Sequence, residues 1–122
     1  MRHDVFISYS NRDRAIADAV CARLERAGYG CWIAPRDIAG GEWGKAIVDG
    51  IRGARLFVII FSAHANLSPQ VNREVERAVS HGLPILPFRI EPVTPCDALE
   101  YFISNQQWLD AMTLPLEPVL SV

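Results

Sequence analysis

RLFVIIFS, Arg55 to Ser62, is the most apolar run in the chain. Its core, Leu56 to Phe61, has no polar residue and no alternation. A run of that kind is a strand buried on both faces. Strands buried on both faces belong inside parallel sheets, with helices above and below. Arg55 to Ser62 is therefore expected at the centre of such a sheet.

The chain that follows, AHANLSPQVNREVERAVSHG (63–82), reads as a surface helix. Ser68 caps it, Pro69 fits the first helical position and Gly82 stops it. Val71, Val75, Ala78 and Val79 form an apolar stripe at helical spacing. Arg73, Glu76 and Arg77 point away from it. Glu74 does not, because at 100° per residue it borders the stripe beside Val71 and Ala78.

Upstream, Trp43, Ile47, Ile51 and Ala54 mark another helix, preceded by the loop PRDIAGGEW (35–43) with its Pro and Gly breakers. YGCWIA (29–34) is a weaker strand. Ile16, Val20, Leu24 and Ala27 mark a helix that Gly28 ends and Ser10 or Asn11 caps. DVFISY (4–9) is a short buried strand. Downstream, LPILPFRI (83–90) is a fourth strand, and its two prolines place it near an edge or make it irregular. The pattern then fades into short helices around Ala98 to Phe102 and Trp108 to Met112. The last stretch, LPLEPVLSV, reads as a connection or a last helical turn.

Strands alternating with helices imply an α/β fold. Right-handed crossovers leave few topologies. The expected architecture is a flavodoxin-like open parallel sheet in the order 2-1-3-4, with room for a fifth strand. Strands 1 and 3 then lie side by side, and ligands bind outside their carboxyl ends. The rims of that crevice are Ser8-Tyr9-Ser10 and Ser62-Ala63-His64. Glu74 overhangs it.

Composition narrows the function. The 122 residues are half hydrophobic and carry a formal charge of −2. That suits one domain (1–122) with its own core. It lacks the basic stripe of a general nucleic-acid binder. Lys45 is the only lysine. No stretch is long and apolar enough to span a membrane, and the N-terminus lacks the apolar region of a secretory signal. Cys21, Cys31 and Cys96 have neither zinc spacing nor a disulfide pattern. They read as reduced thiols of a cytoplasmic protein. No histidine pair has ligand spacing, so no metal site is expected.

Four pieces in order resemble the TIR (Toll/interleukin-1 receptor) domains, bacterial members above all: DVFISYSNRD, GYGCWIAPRDIAGGEWGKAIVDGI, ARLFVIIFSAHANLSPQVNREVERAV and LPILPFRIE. Together they span about Asp4 to Met112. The resemblance implies two classes of function. Many such domains cleave NAD⁺, releasing nicotinamide and leaving ADP-ribose or a cyclic isomer. Others are non-catalytic scaffolds that assemble with further TIR domains. It also implies a homo-oligomer, a sensor domain elsewhere in a longer protein and a role in bacterial anti-phage immunity. NAD⁺ is then a substrate and no cofactor is needed. Nucleic acid and membrane are not expected partners.

In the cleaving branch, the catalytic group is a glutamate on the helix after the third strand. By position that is Glu74. Tyr9 and Ser10 would line the crevice. Trp43 matches a position that stacks on a base, and Ser62 could bond the ribose or the amide. Pro35, Arg36, Asp37, Gly40 and Gly41 lie in the loop that moves in assembly and substrate access. Active relatives often carry tryptophan four residues before the glutamate. Gln70 stands there, so the resemblance does not specify a cyclic product.

Each of these residues also has a plainer reading. A helix glutamate is ordinarily solvated, and Glu74 could pair with Arg77 one turn on. Trp43 could be a core anchor, while Trp32 and Trp108 read as packing. Tyr9, Ser10 and Ser62 could be strand ends and helix caps. Other enzymes fit less well. FSAHA is not the GxSxG elbow of a nucleophilic hydrolase. No GxGxxG loop or P-loop is present. A receiver domain needs an aspartate where Phe61-Ser62 stands.

Overall fold

The computed structural model describes residues 3–38, 42–103 and 108–110. Strands β1 (Val5–Ser8), β2 (Cys31–Ile33), β3 (Leu56–Phe61), β4 (Ile85–Arg89) and β5 (Leu109–Asp110) form one sheet in the order β2-β1-β3-β4-β5. Every pairing is parallel. The apolar run is the middle strand, as its composition requires. The helices are α1 (Arg14–Arg26), α2 (Trp43–Gly53), α3 (Ala63–Asn66), α4 (Pro69–Ser80) and α5 (Asp97–Ile103). A 3₁₀ turn, Asn11–Asp13, precedes α1.

Strand periodicity divides the core into two layers. Phe6, Trp32, Phe57, Ile59 and Phe61 pack on one face against Ile51 of α2, Val71 and Val75 of α4 and Leu99 of α5. Val5, Ile7, Ile33, Val58 and Ile60 pack on the other face against Ala17, Val20 and Cys21 of α1. Phe6, Phe57, Phe61 and Phe88 are fully buried, each contributing roughly 1.5–3 kcal/mol relative to exposure. Phe6 stacks on Trp32 at 4.7 Å and on Phe57 at 5.3 Å, its cross-strand neighbours. The three rings form a row across the sheet. Gly50 lets α2 rest on that row, because a Cβ there would come within 2.7 Å of Trp32.

Two expectations need correcting. The helix expected around Trp108 to Met112 is not there: Leu109 and Asp110 pair with β4, and residues 111–122 lie outside the described residues. β4, expected near an edge, does lie there, one strand in from the short outermost β5. Its proline signal has a local cause: β5 pairs only with Phe88 and Arg89, so Pro87 lies beyond its reach. Val79, placed in the apolar stripe of α4, is 38% exposed.

Candidate functional site

The exposure of Val79 shows how α4 is turned. Val71 and Ala78 lie near the centre of its buried face. Glu74 is about 60° to one side of Val71 and Val79 about 80° to the other. The helix buries the glutamate and exposes the valine. The pairing with Arg77 open to Glu74 is not made. Ser68 fixes the start of the helix, its hydroxyl accepting from Val71 N at 3.2 Å, and Gly82 ends it at φ +72°, where glycine is the unstrained choice.

Glu74 is 8% exposed. Ser8 Oγ, at the end of β1, donates to its Oε1 at 2.7 Å, and Gln70 Nε2 donates to its Oε2 at 3.1 Å. Burial pushes the carboxyl above its ordinary value, against the bonds from Ser8 and Gln70 and the charge of Arg73. The result is a held, partly desolvated carboxylate, in which electrostatics act strongly.

A cleft of about 540 Å³ opens beside it. Tyr9, Ser10, Trp43 and Glu74, four of the residues singled out in the sequence, all line it, as does Pro35. Trp43 is 54% exposed, which suits a stacking surface better than a core anchor. Tyr9 Oη donates to Ala34 O and ties β1 to the loop stem; burial raises its pKa.

Ser62 is not brought to the cleft. It is 0% exposed; its hydroxyl donates to Asp13 and accepts from Ala65 N. It caps α3, the plainer of its two readings. Arg36 and Asp37 form a brace instead of lining the cleft. Arg36 bonds Glu25 at 2.9 Å, Asp37 at 2.8 Å and Cys31 O at 2.6 Å. Asp37 also accepts from Ile33 N at 2.8 Å. Gly40 and Gly41 lie outside the described residues.

Sequence reading missed three contributors. Ser8 was a rim residue with no assigned partner, Gln70 only a departure from pattern, and Trp32 only packing. Trp32 stacks on Phe6 and also lines the cleft. A second cluster also went unforeseen: Cys21 Sγ, Cys31 Sγ and a Glu25 oxygen lie within 4.8 Å of one another. Arg36 stands among them, 3.6 Å from Cys21 Sγ. Burial pushes the Cys31 thiol up to about 12 and raises that of Cys21. Neither thiol is activated as a nucleophile by these surroundings.

A family model described as "TIR domain" matches residues 5–116. The chain belongs to the TIR domain family. This TIR domain shares its fold with several solved structures. The TIR domain of the Toll-related receptor TRR-2 from Hydra magnipapillata is 23% identical, with a TM-score of 0.80, covering 98% of this chain and 92% of that one. The TIR domains of the activated Roq1 resistosome, which directly recognises the pathogen effector XopQ, are 14% identical, with a TM-score of 0.76 and coverages of 98% and 95%. Clostridium botulinum CMP N-glycosidase, BcmB, is 17% identical, with a TM-score of 0.69 and coverages of 97% and 96%. A search of curated proteins found no match. No helix among the described residues is long and apolar enough to cross a membrane.

Proposed function

We propose that this TIR domain cleaves the bond between nicotinamide and ribose in NAD⁺, with Glu74 as the catalytic carboxylate. The observation that carries the reading is the placement of Glu74: buried, held by Ser8 and Gln70, and facing a cleft walled by Trp43. Nicotinamide in NAD⁺ is a cation and leaves as a neutral ring, so no general acid is needed. Ordinary glycoside hydrolysis needs two carboxylates; this reaction needs one. Positive charge builds on ribose C1′ as the bond lengthens. A fixed anion beneath the ribose stabilises it without reorganising. Water then captures C1′ and gives ADP-ribose, or an adenine nitrogen captures it and gives a cyclic isomer. BcmB, similar in fold, is named for N-glycosidase action on CMP, the same class of bond.

Activity is proposed to require assembly of several copies through the Pro35–Gly41 loop, in cytoplasmic immune signalling driven by a sensor domain in a bacterial protein. The non-catalytic scaffold is the second reading. Leu67 and Tyr101, 77% and 83% exposed, are available for association.

The test is nicotinamide release from NAD⁺ by the purified domain at high concentration, beside Glu74→Gln. Release that vanishes in the variant supports the enzyme. Equal release by both removes Glu74 as catalyst. No release, even after fusion to a forced oligomeriser, leaves the scaffold.

A further inference from the structure

Glu74 also borders a second cavity. The groove between α2 and α4, about 330 Å³, is lined by Ile47, Val48 and Ile51 and rimmed by Arg73 and Arg77. It shares Trp43, Gln70 and Glu74 with the cleft, so the two meet at the carboxylate.

Arg73 and Arg77 sit at i and i+4 on α4. Like charges at that spacing destabilise a helix. Both are exposed, and neither makes an ion pair among the described residues. Elsewhere Arg14, Arg36 and Arg55 each pair with a carboxylate. The α2 carboxylate Asp49 is taken by Lys45 at 3.1 Å. Among the described residues, the only acidic one lining the groove is Glu74, and its oxygens are bonded to Ser8 and Gln70. Two guanidiniums thus border a cavity whose described lining supplies no free anion.

We propose that this groove receives the phosphate of the substrate nucleotide, on Arg73 and Arg77. The proposal rests on the N-glycosidic reading above and deepens it by naming the residues that hold the 5′-phosphate NAD⁺ carries. In this proposal C1′ sits at Glu74, where the two cavities meet, with the base in the cleft and the 5′-phosphate in the groove. Arg73 precedes Glu74 by one residue. Arg77 lies three residues on, about 4.5 Å along the helix axis. Guanidinium forks match phosphate oxygens in two-point hydrogen bonds. Trp43, at the junction, lines both cavities.

The experiment compares two ligands that differ by one phosphate: nicotinamide mononucleotide and nicotinamide riboside. Both are titrated calorimetrically into the chain carrying Glu74→Gln, which prevents turnover. The mononucleotide is expected to bind about 10- to 100-fold more tightly, the gain from charge-assisted bonds. Adding Arg73→Gln and Arg77→Gln brings that ratio to about one and leaves riboside affinity unchanged. Thermal melts of each variant confirm folding. The ratio also shrinks as salt rises. Four results overturn the proposal: no detectable mononucleotide binding, no preference for it, a preference that survives both substitutions, or one abolished instead by Arg12→Gln with Arg14→Gln on the cleft side. If wild type cleaves nothing while the preference and its loss are observed, the catalytic reading fails and the phosphate site stands.

Discussion

Ser8 ends β1 and Ser62 follows β3, the strand beside it. Each hydroxyl donates to a distant carboxylate, Ser8 to Glu74 and Ser62 to Asp13. All four residues are buried. Yet the carboxylate of one pair lines a cleft and that of the other does not. Ser62 is engaged on both sides, by Asp13 and by Ala65 N, and that closes the start of α3 over it. Glu74 takes its bonds from Ser8 and Gln70 on protein sides and keeps a face toward open space. A buried serine–carboxylate pair is therefore not in itself a site. Access to one face of the carboxylate makes the difference.

The comparison breaks first on activity. Glu74→Gln is expected to lower nicotinamide release by about 100- to 1,000-fold in kcat while the fold persists, as circular dichroism will report. Asp13→Asn should do the reverse. It weakens a buried bond and costs about 1–3 kcal/mol of stability by urea titration, with release per folded molecule kept. If Asp13→Asn abolishes release in a folded protein, the contrast is wrong. Trp43→Ala should raise KM about tenfold through lost stacking and scarcely change stability, since the ring is half exposed. Ser8→Ala should cost about 1 kcal/mol. It also removes a bond that favours the ionised form of Glu74, so the acid limb of the pH–rate profile moves upward.

The smallest effect is the pH dependence of stability. Folding raises the pKa of Glu74, chiefly by burial. The folded state thus holds that proton more tightly than the unfolded one. The resulting stability is complete below the ordinary carboxylate value and is lost as pH rises through the folded value. Glu74→Gln should gain stability relative to wild type across that window. A constant difference at all pH values would mean Glu74 titrates normally.

The sheet order, the place of β3 and the ends of α4 were legible in the sequence, because periodicity and caps are local signals. So was the odd position of Glu74, which the angular offset from Val71 gives directly. Partners were not legible. Glu74 and Ser8 are 66 residues apart, Ser62 and Asp13 are 49 apart, and no local pattern pairs them. Ser62 was assigned to the wrong surface for that reason. A fifth strand was allowed for, but its place at Leu109–Asp110 was not legible, because two residues carry no period and the pairing comes from the open side of β4. Val79 was misplaced because periodicity gives the breadth of a stripe but not how the helix is rotated against the sheet.

The three tryptophans occupy three different surroundings. Trp32 lies flat on Phe6 in the interior, Trp43 stands in solvent at the cleft, and Trp108 sits under the Arg89 guanidinium, 4.4 Å from its ring centre. The protein thus carries its own optical probes. Emission from Trp43 should lie to the red and be quenched by a stacked nicotinamide, while that from Trp32 should lie to the blue and shift to the red on unfolding. A single fluorescence titration can separate ligand occupancy from loss of the fold without any label.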